Sequence, residues 1–500
     1  MNKQWTQVTP SDFSWEQEAL EFLRESLPDH EPYRAWSNFE FIAEDGSMNE
    51  VDALILAPKG LFLVEIKSHP GEISGDAGRW VWSHEGRRKS MDNPRLLAER
   101  KAKKLASLLR SQRAARNKHG VPFIGVLVFL SARSVKNKLT GPARQQVCTR
   151  ENVLEHLTEI DASWNHKRLD RPIAKTVSRA MEEAGIRESQ KTRRVGPYQL
   201  DRVMDEADHF QDWLAVHADA GTERRIRVYL TRGKEPEEAE RLRTAARREF
   251  RILEGIEHAG ILRALDLQEH EQGPALVFDH DTNAQRLDLY LSDLGDENRL
   301  DVSAALELLR QIAEAVRFAH GHKLYHRALS PQSIWVKRDA SGEFRIKIAN
   351  WATADRSFET ESQHLTRISH LSQIVREESG PYVALEAHSD EDADAVYLDV
   401  FSLGTIAYLL FTGQPPAQND LELQDKLSRG KGLQVTDALN GAGQDLQDLI
   451  QYATHPNIAS RLGSVEEFLE YLNEVEDELT RPEDQRQDNP TEAKPGGKSE

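Results

Sequence analysis

Residues 49–68 read NEVDALILAPKGLFLVEIKS, two apolar arms separated by Pro58-Lys59-Gly60. β-Branched and aliphatic residues fill the arms and turn formers occupy the middle, so the stretch predicts a buried β-hairpin. With Pro58 and Lys59 as the central turn residues, pairing runs outward from Ala57 and Gly60 and sets Asp52 directly opposite Glu65. Alternation collects Asp52, Leu54, Leu56, Leu61, Leu63, Glu65 and Lys67 on one face, and Ala53, Ile55, Phe62, Val64 and Ile66 on the other. Opposed like charges on a buried hairpin are unfavourable unless a cation lies between them, so Asp52 and Glu65 call for a metal ion.

Two hard oxygen ligands beside an amine, here Lys67, suit metal-assisted phosphodiester cleavage. A Glu-x-Lys by itself is also the pattern of an ordinary salt pair on a strand. The turn register, the apolar arms, an amphipathic helix upstream and the downstream sequence favour the site. The pattern of Asp52 followed by Glu65-x-Lys67 resembles the PD-(D/E)xK nuclease superfamily and, more narrowly, the nuclease-related domain called NERD. The resemblance implies an α/β restriction-endonuclease-like fold of order α-β-β-β-α-β and a Mg²⁺ or Mn²⁺ cofactor. It assigns Glu18, on a helix over Trp15–Leu27, to the metal together with Asp52 and Glu65, and Lys67 to positioning the attacking water.

A chain of 500 residues is too long for one core and predicts two or three domains. With 38% hydrophobic and 30% charged residues it reads as a soluble, cytoplasmic protein, without an apolar run long enough to span a bilayer or a signal-like N-terminus. The single cysteine, Cys148, excludes an internal disulfide framework and a thiolate zinc cluster. A net charge of -18 argues against attraction of the whole chain to nucleic acid, so any such contact needs a local patch.

Apolar spacing places a helix over Glu16–Leu27 after Ser14, and a strand near Asn38–Ala43 leads into the hairpin. Gly71, Gly75 and Gly78 mark loops before a short strand Trp80–Trp82. A long helix is predicted from Asn93-Pro94 to Lys118. Its Arg95, Arg100, Lys101 and Lys104, with the preceding Arg87, Arg88 and Lys89, form the best candidate for contact with DNA phosphates; the plain reading of such a run is a solvated helix face. NERD domains tend to follow Asn-Pro with a Gln, and this chain has Leu97 there. The run Phe123–Leu130 reads as a central strand buried on both faces. Helices at Glu151–Leu157 and Asp170–Ala184 close a first domain, 1–186, before a polar linker, 187–197.

From Tyr198 the chain resembles a protein kinase. Leu324-Tyr325-His326-Arg327-Ala328-Leu329-Ser330-Pro331-Gln332-Ser333 falls on the catalytic loop, and Ile348-Ala349-Asn350-Trp351 on the stretch where Ala-Asp-Phe-Gly is expected. Phosphoryl transfer needs a base Asp, Mg²⁺ ligands, a phosphate-binding Lys and a Gly-rich loop. By this resemblance the base is Ala328, the loop Lys is Ser330, the ligands are Ser333 and Asn350, and the strand Lys is Arg227. Leu200–Trp213 contains no glycine. Glu249 is the counterpart of the ion-pairing Glu, and the positions that the resemblance assigns to holding the lobe together are His326, Arg327, Asp399, and Glu386 with Arg461. The reading is an α+β bilobal pseudokinase over 198–476, with ATP not expected, and Arg227 free to pair with Glu249. Thr366, Ser369, Ser372 and Ser379 are candidate phosphate acceptors. Residues 477–500 read as a disordered tail or a linker.

The two domains in this order resemble NERD-kinase proteins of bacterial BREX/Pgl-type phage-defence clusters, longer members of which continue into an active kinase domain. The resemblance implies a Mg²⁺-dependent DNA-cleaving or DNA-binding protein regulated by, or docked through, its pseudokinase. DNA and other phage-defence proteins are the expected partners. Two alternatives stand beside it: an atypical serine/threonine kinase that binds ATP, and a non-enzymatic scaffold holding DNA and defence partners.

Overall fold

The computed structural model describes residues 4–11, 14–116, 119–159, 168–186, 193–207, 209–295, 300–351, 355–356, 380–388, 393–439 and 441–480. Thr366, Ser369, Ser372 and Ser379, most of the expected linker and the end of the chain lie outside the described residues. Two compact units divide the chain: residues 1–254, 263–282 and 292–295 form the first, and 255–262, 283–291 and 296–500 the second.

The first unit opens with β1 (Trp5–Gln7), α1 (Ser14–Ser26), β2 (Arg34–Ile42), β3 (Met48–Ala57) and β4 (Gly60–Lys67). After β5 (Gly71–Gly75), β6 (Arg79–His84) and β7 (Arg87–Asp92) come α2 (Pro94–Ser111), β8 (Ile124–Leu130), β9 (Val135–Asn137) and β10 (Val147–Thr149). Helices α3 (Val153–Thr158) and α4 (Arg171–Glu183) follow. The main sheet has the order β1-β2-β3-β4-β8-β10, with β4 and β8 parallel. The two faces of the hairpin separate as its alternation predicts. Leu54, Leu56, Leu61 and Leu63 pack with Ala98, Ala102 and Leu105 of α2, while Ala53, Ile55, Val64 and Ile66 pack with Ala19, Leu20 and Leu23 of α1.

The region around Trp80 differs from expectation. In place of loops and one short strand, β5, β6, β7 and β9 form a second sheet of order β7-β6-β5-β9. Trp80 and Trp82 face its core with Val128 and Leu130 of β8. Helix α2 starts as expected, with the Asn93 side chain accepting from Arg95 N and Pro94 in the first turn, but it stops at Ser111 and a 3₁₀ turn covers Arg113–Arg116.

A six-stranded antiparallel sheet completes the first unit: β11 (Arg194–Val195), β12 (Tyr198–Ala207), β13 (Phe210–His217), β14 (Glu223–Tyr229), β15 (Ala264–His270) and β16 (Gly273–Asp279), in the order β11-β12-β13-β14-β16-β15. Helix α5 (Pro236–Leu253) packs on it. This is the N-lobe of a kinase fold. The hairpin β12–β13, where a glycine-rich loop would lie, closes with Ala207 paired to Phe210.

The second unit is helical: α6 (Val302–Gly321), α7 (Ala395–Thr412), α8 (Asp420–Gly430), α9 (Gln444–Ala453) and α10 (Val465–Thr480), with a small sheet of Gln285–Arg286, Ile334–Arg338 and Phe344–Ile348. It is the kinase C-lobe. The expectation that no apolar run could span a bilayer is corrected by α7, which is long and apolar enough by composition. Its apolarity has a packing reason, since every residue from Leu398 to Thr412 is buried. Helix α10 runs past 476, where the sequence suggested that structure ends.

Candidate active site

The β3–β4 ladder pairs Ala57 with Gly60 and Ala53 with Val64. Asp52 is one step further, in register with Glu65. It is also in register with Asn38 of β2, between the pairs Ser37–Ala53 and Phe39–Val51. Asn38 has φ 48, so the β2 ladder opens at this point. Its amide nitrogen, in the orientation its neighbours require, donates to Glu16 Oε1 at 3.0 Å and to the Asp52 carbonyl at 3.3 Å. The Asp52 carboxylate accepts from Ile66 N at 2.6 Å and is thereby fixed against β4.

Glu65 is only 6% exposed. Lys67 Nζ donates to its Oε1 at 2.8 Å, and Lys101 Nζ, from α2, to its Oε2 at 3.2 Å. Burial alone would raise the Glu65 carboxyl, but Lys101 and then Lys67 overcome it and bring it down to about 2. Asp52 goes the other way, pushed up to about 8 by burial and then by the Glu65 charge. One carboxylate is therefore ionised and its neighbour holds a proton near neutrality. Lys67 is held above the usual lysine range by Glu65 and Asp52, against the effect of burial, so it acts as a cation.

Glu18 does not join this group. It is half exposed and paired with Arg133 at 2.9 Å and Arg150 at 3.2 Å. The nearer acid of α1 is Glu16, raised by burial and sensing the charges of Lys67 and Glu65. Helical spacing could have found it, since Glu16 precedes the buried Ala19, Leu20 and Leu23 at intervals of three, four and seven.

Among the described residues no three His, Cys, Asp or Glu side chains gather as a metal-holding group. The donor set nevertheless suits a small hard cation, because Mg²⁺ is commonly held by one or two carboxylates, with waters and substrate phosphate completing its shell.

The basic segment divides. Lys101 belongs to the carboxylate pair. Lys104 pairs with Glu206 and with Asp45 at 3.2 Å, and Arg100 donates to the Glu206 carbonyl at 2.6 Å. Arg95 bonds Glu99 at 2.7 Å. Arg87, Arg88 and Lys89 are exposed on β7. The expectation of an outward basic helix is thus corrected for Lys101 and Lys104, while Arg100 stays exposed. Ala98, Ala102 and Ala106 let α2 approach closely, and Lys101 and Lys104 reach acids inside the fold.

In the N-lobe, Arg227 is buried on β14. It donates to both oxygens of Asp212 at 2.8 and 2.9 Å and stands 3.6 Å from Glu249. The Phe210 ring covers its guanidinium at 4.0 Å. Arg225 also pairs with Asp212. The Arg227–Glu249 tie is present, but Asp212, which no kinase motif singles out, is the closer partner.

In the C-lobe, Asp399 accepts from His326 N at 2.8 Å, Arg327 N at 2.6 Å and His320 Nε2 at 2.9 Å. The buried His326 ring contacts the Ala349 carbonyl at 2.9 Å, and burial lowers its pKa. Glu386 and Arg461 pair at 2.5 Å. Ala328 is buried, and Ser333 Oγ donates to the Ser330 carbonyl at 2.8 Å. Asn350 sits at φ 62 next to Trp351, whose ring nitrogen donates to Ile348 at 3.0 Å.

Comparison with known proteins gives a consistent result. Residues 11–130 match the nuclease-related domain, NERD, and residues 217–472, more than half of the chain, match the protein kinase domain. The chain is 36% identical over 504 residues to "Probable kinase PglW" of Streptomyces coelicolor, covering 96% of this chain. It spans about a third (32%) of the length of that relative. The Mycobacterium tuberculosis PknI kinase domain is similar at 20% identity with a TM-score of 0.42, over 57% of this chain and 100% of that one. The chain therefore belongs to the protein kinase family, with a nuclease-related domain ahead of its kinase domain.

Proposed function

We propose that the chain is part of a BREX/Pgl-type phage-defence protein in which the NERD domain cleaves DNA with a divalent cation and the kinase domain is catalytically degenerate. The observation that carries this reading is the Asp52 carboxylate held on Ile66 N, beside Glu65, with Lys67 Nζ on the Glu65 carboxylate. With β5, β6 and β7 set aside in their own sheet, the order α1-β2-β3-β4-α2-β8 supports a restriction-endonuclease-like core. Asp52 and Glu65 would hold Mg²⁺ or Mn²⁺, which supplies Lewis-acid activation of a phosphodiester when bound. Lys67, cationic at neutral pH, orients the attacking water or steadies charge on the phosphate. Glu16 is better placed than Glu18 to complete the acidic set.

Several contacts support degeneracy of the kinase domain. Ala328 has no side-chain oxygen to accept a proton. Ser333 spends its hydroxyl on the local turn, and Arg227 is enclosed by Asp212, Glu249 and Phe210. Plasmid nicking tests the reading: Lys67→Ala and chelator should each reduce cleavage by about 100-fold, and equal nicking in all samples would remove it. The name of the PglW relative favours a second reading, protein phosphorylation. Transfer of label from ATP, lost in Glu249→Ala and kept in Lys67→Ala, would establish that instead.

A further inference from the structure

The kinase N-lobe and the NERD domain share a core. Met48, the first residue of β3, is 2% exposed and lies in the cluster of Val195, Leu200, Trp213 and Ile226, with Ile42 packed against it. The fully buried Gln211 of β13 treats Met48 as a strand partner: its Oε1 accepts from Met48 N at 3.1 Å and its Nε2 donates to Met48 O at 3.0 Å. Beside it Glu206, 7% exposed on β12, pairs with Lys104 of α2. The hairpin that would cover nucleotide in an active kinase is therefore anchored to the NERD domain.

Helix α2 carries the consequence. Lys101 and Lys104 are three residues apart on one helix, so their side chains are neighbours on its surface. One end of this short span, Lys104, is tied to the N-lobe by Glu206, with Asp45 at 3.2 Å and Ser47 Oγ at 2.9 Å as its further partners; the other reaches Glu65. A shift or rotation of α2 large enough to free Lys104 also moves Lys101 Nζ off the carboxylate.

We propose that Glu206 is a positioning residue for the carboxylate–lysine site, setting through Lys104 where Lys101 stands at Glu65, so that the degenerate N-lobe serves as the support of the NERD site. Its catalytic meaning rests on the nuclease reading; the positioning itself does not.

The test is amine acylation of the full-length chain, read lysine by lysine by mass spectrometry. Lys103, exposed on the same helix, is the reference, and Lys426, paired with Glu422 in the second unit, reports general loosening. In Glu206→Gln the labelling of Lys101 should rise about tenfold relative to Lys103, with Lys426 unchanged. Lys101 protection equal to wild type, or a parallel rise at Lys426, would overturn the proposal. Should Glu206→Gln not fold, Lys104→Glu combined with Glu206→Lys carries the same test. Restored protection in the double variant supports the coupling, and protection lost there overturns it. Absence of nicking by the wild type would sink the nuclease reading and leave the labelling result standing.

Discussion

Lys101 holds one oxygen of Glu65 at 3.2 Å while Lys67 holds the other at 2.8 Å, so a helix and a strand converge on one buried carboxylate. Removing Lys101 leaves Glu65 with a single cation in a poorly solvated place. Lys101→Met should therefore cost about 2 kcal/mol in urea unfolding, and nicking should fall with it. Wild-type stability and activity in this variant would show that Lys67 alone neutralises the site.

Asp212 predicts acid sensitivity. Burial would raise its carboxyl, but Arg225 and Arg227 bring it down to about 2 from an ordinary 3.8. The folded pKa is depressed, so the stabilisation is present above about pH 4 and is lost as pH falls from there towards 2; it amounts to roughly 2 kcal/mol. Unfolding monitored through Trp213 should steepen across that window. In Asp212→Asn the steep part should vanish, at a lower overall stability, because Arg225 and Arg227 lose their common anion. An unchanged slope would place the acid-sensitive group elsewhere.

In the C-lobe, Asp399→Asn replaces an acceptor oxygen by an amide that cannot serve His326 N, Arg327 N and His320 together. We expect a loss of about 2–3 kcal/mol, seen as faster hydrogen exchange of the His326 and Arg327 amides. Exchange like that of the wild type would mean that the loop is held by the His326–Ala349 contact alone.

The sequence was most informative where a local rule had one solution. Pro58 and Lys59 admit one hairpin register, and that register brings Asp52 and Glu65 together. Lys101 was harder to read, because a lysine in a basic run on an amphipathic helix looks solvated until a long-range partner is known. Glu16 and Glu18 share one turn, and the choice between them follows from the buried face of α1. Asp212 and Gln211 fit no kinase motif; their partners lie on other strands or in the NERD domain. The shared core around Met48 was illegible for the same reason, since a methionine at the start of a strand does not announce what it enters.

The seam also passes through Gly233, which follows β14 at φ +78 and lies so close to the Ala43–Ser47 turn that a Cβ would fall on the Glu44 carbonyl oxygen. That obstacle is backbone and cannot rotate aside. Gly255 has nearly the same φ, +77, with nothing within 4 Å of its would-be Cβ, so it isolates the cost of the left-handed conformation. Gly255→Ala should therefore lose about 1 kcal/mol, and Gly233→Ala about 2–4 kcal/mol, measured by chemical unfolding. The excess at Gly233 is the resistance of the seam to separation. Equal losses would mean that the turn and the N-lobe yield to each other freely, and the support that Glu206 gives to Lys101 through Lys104 would then have no rigid base.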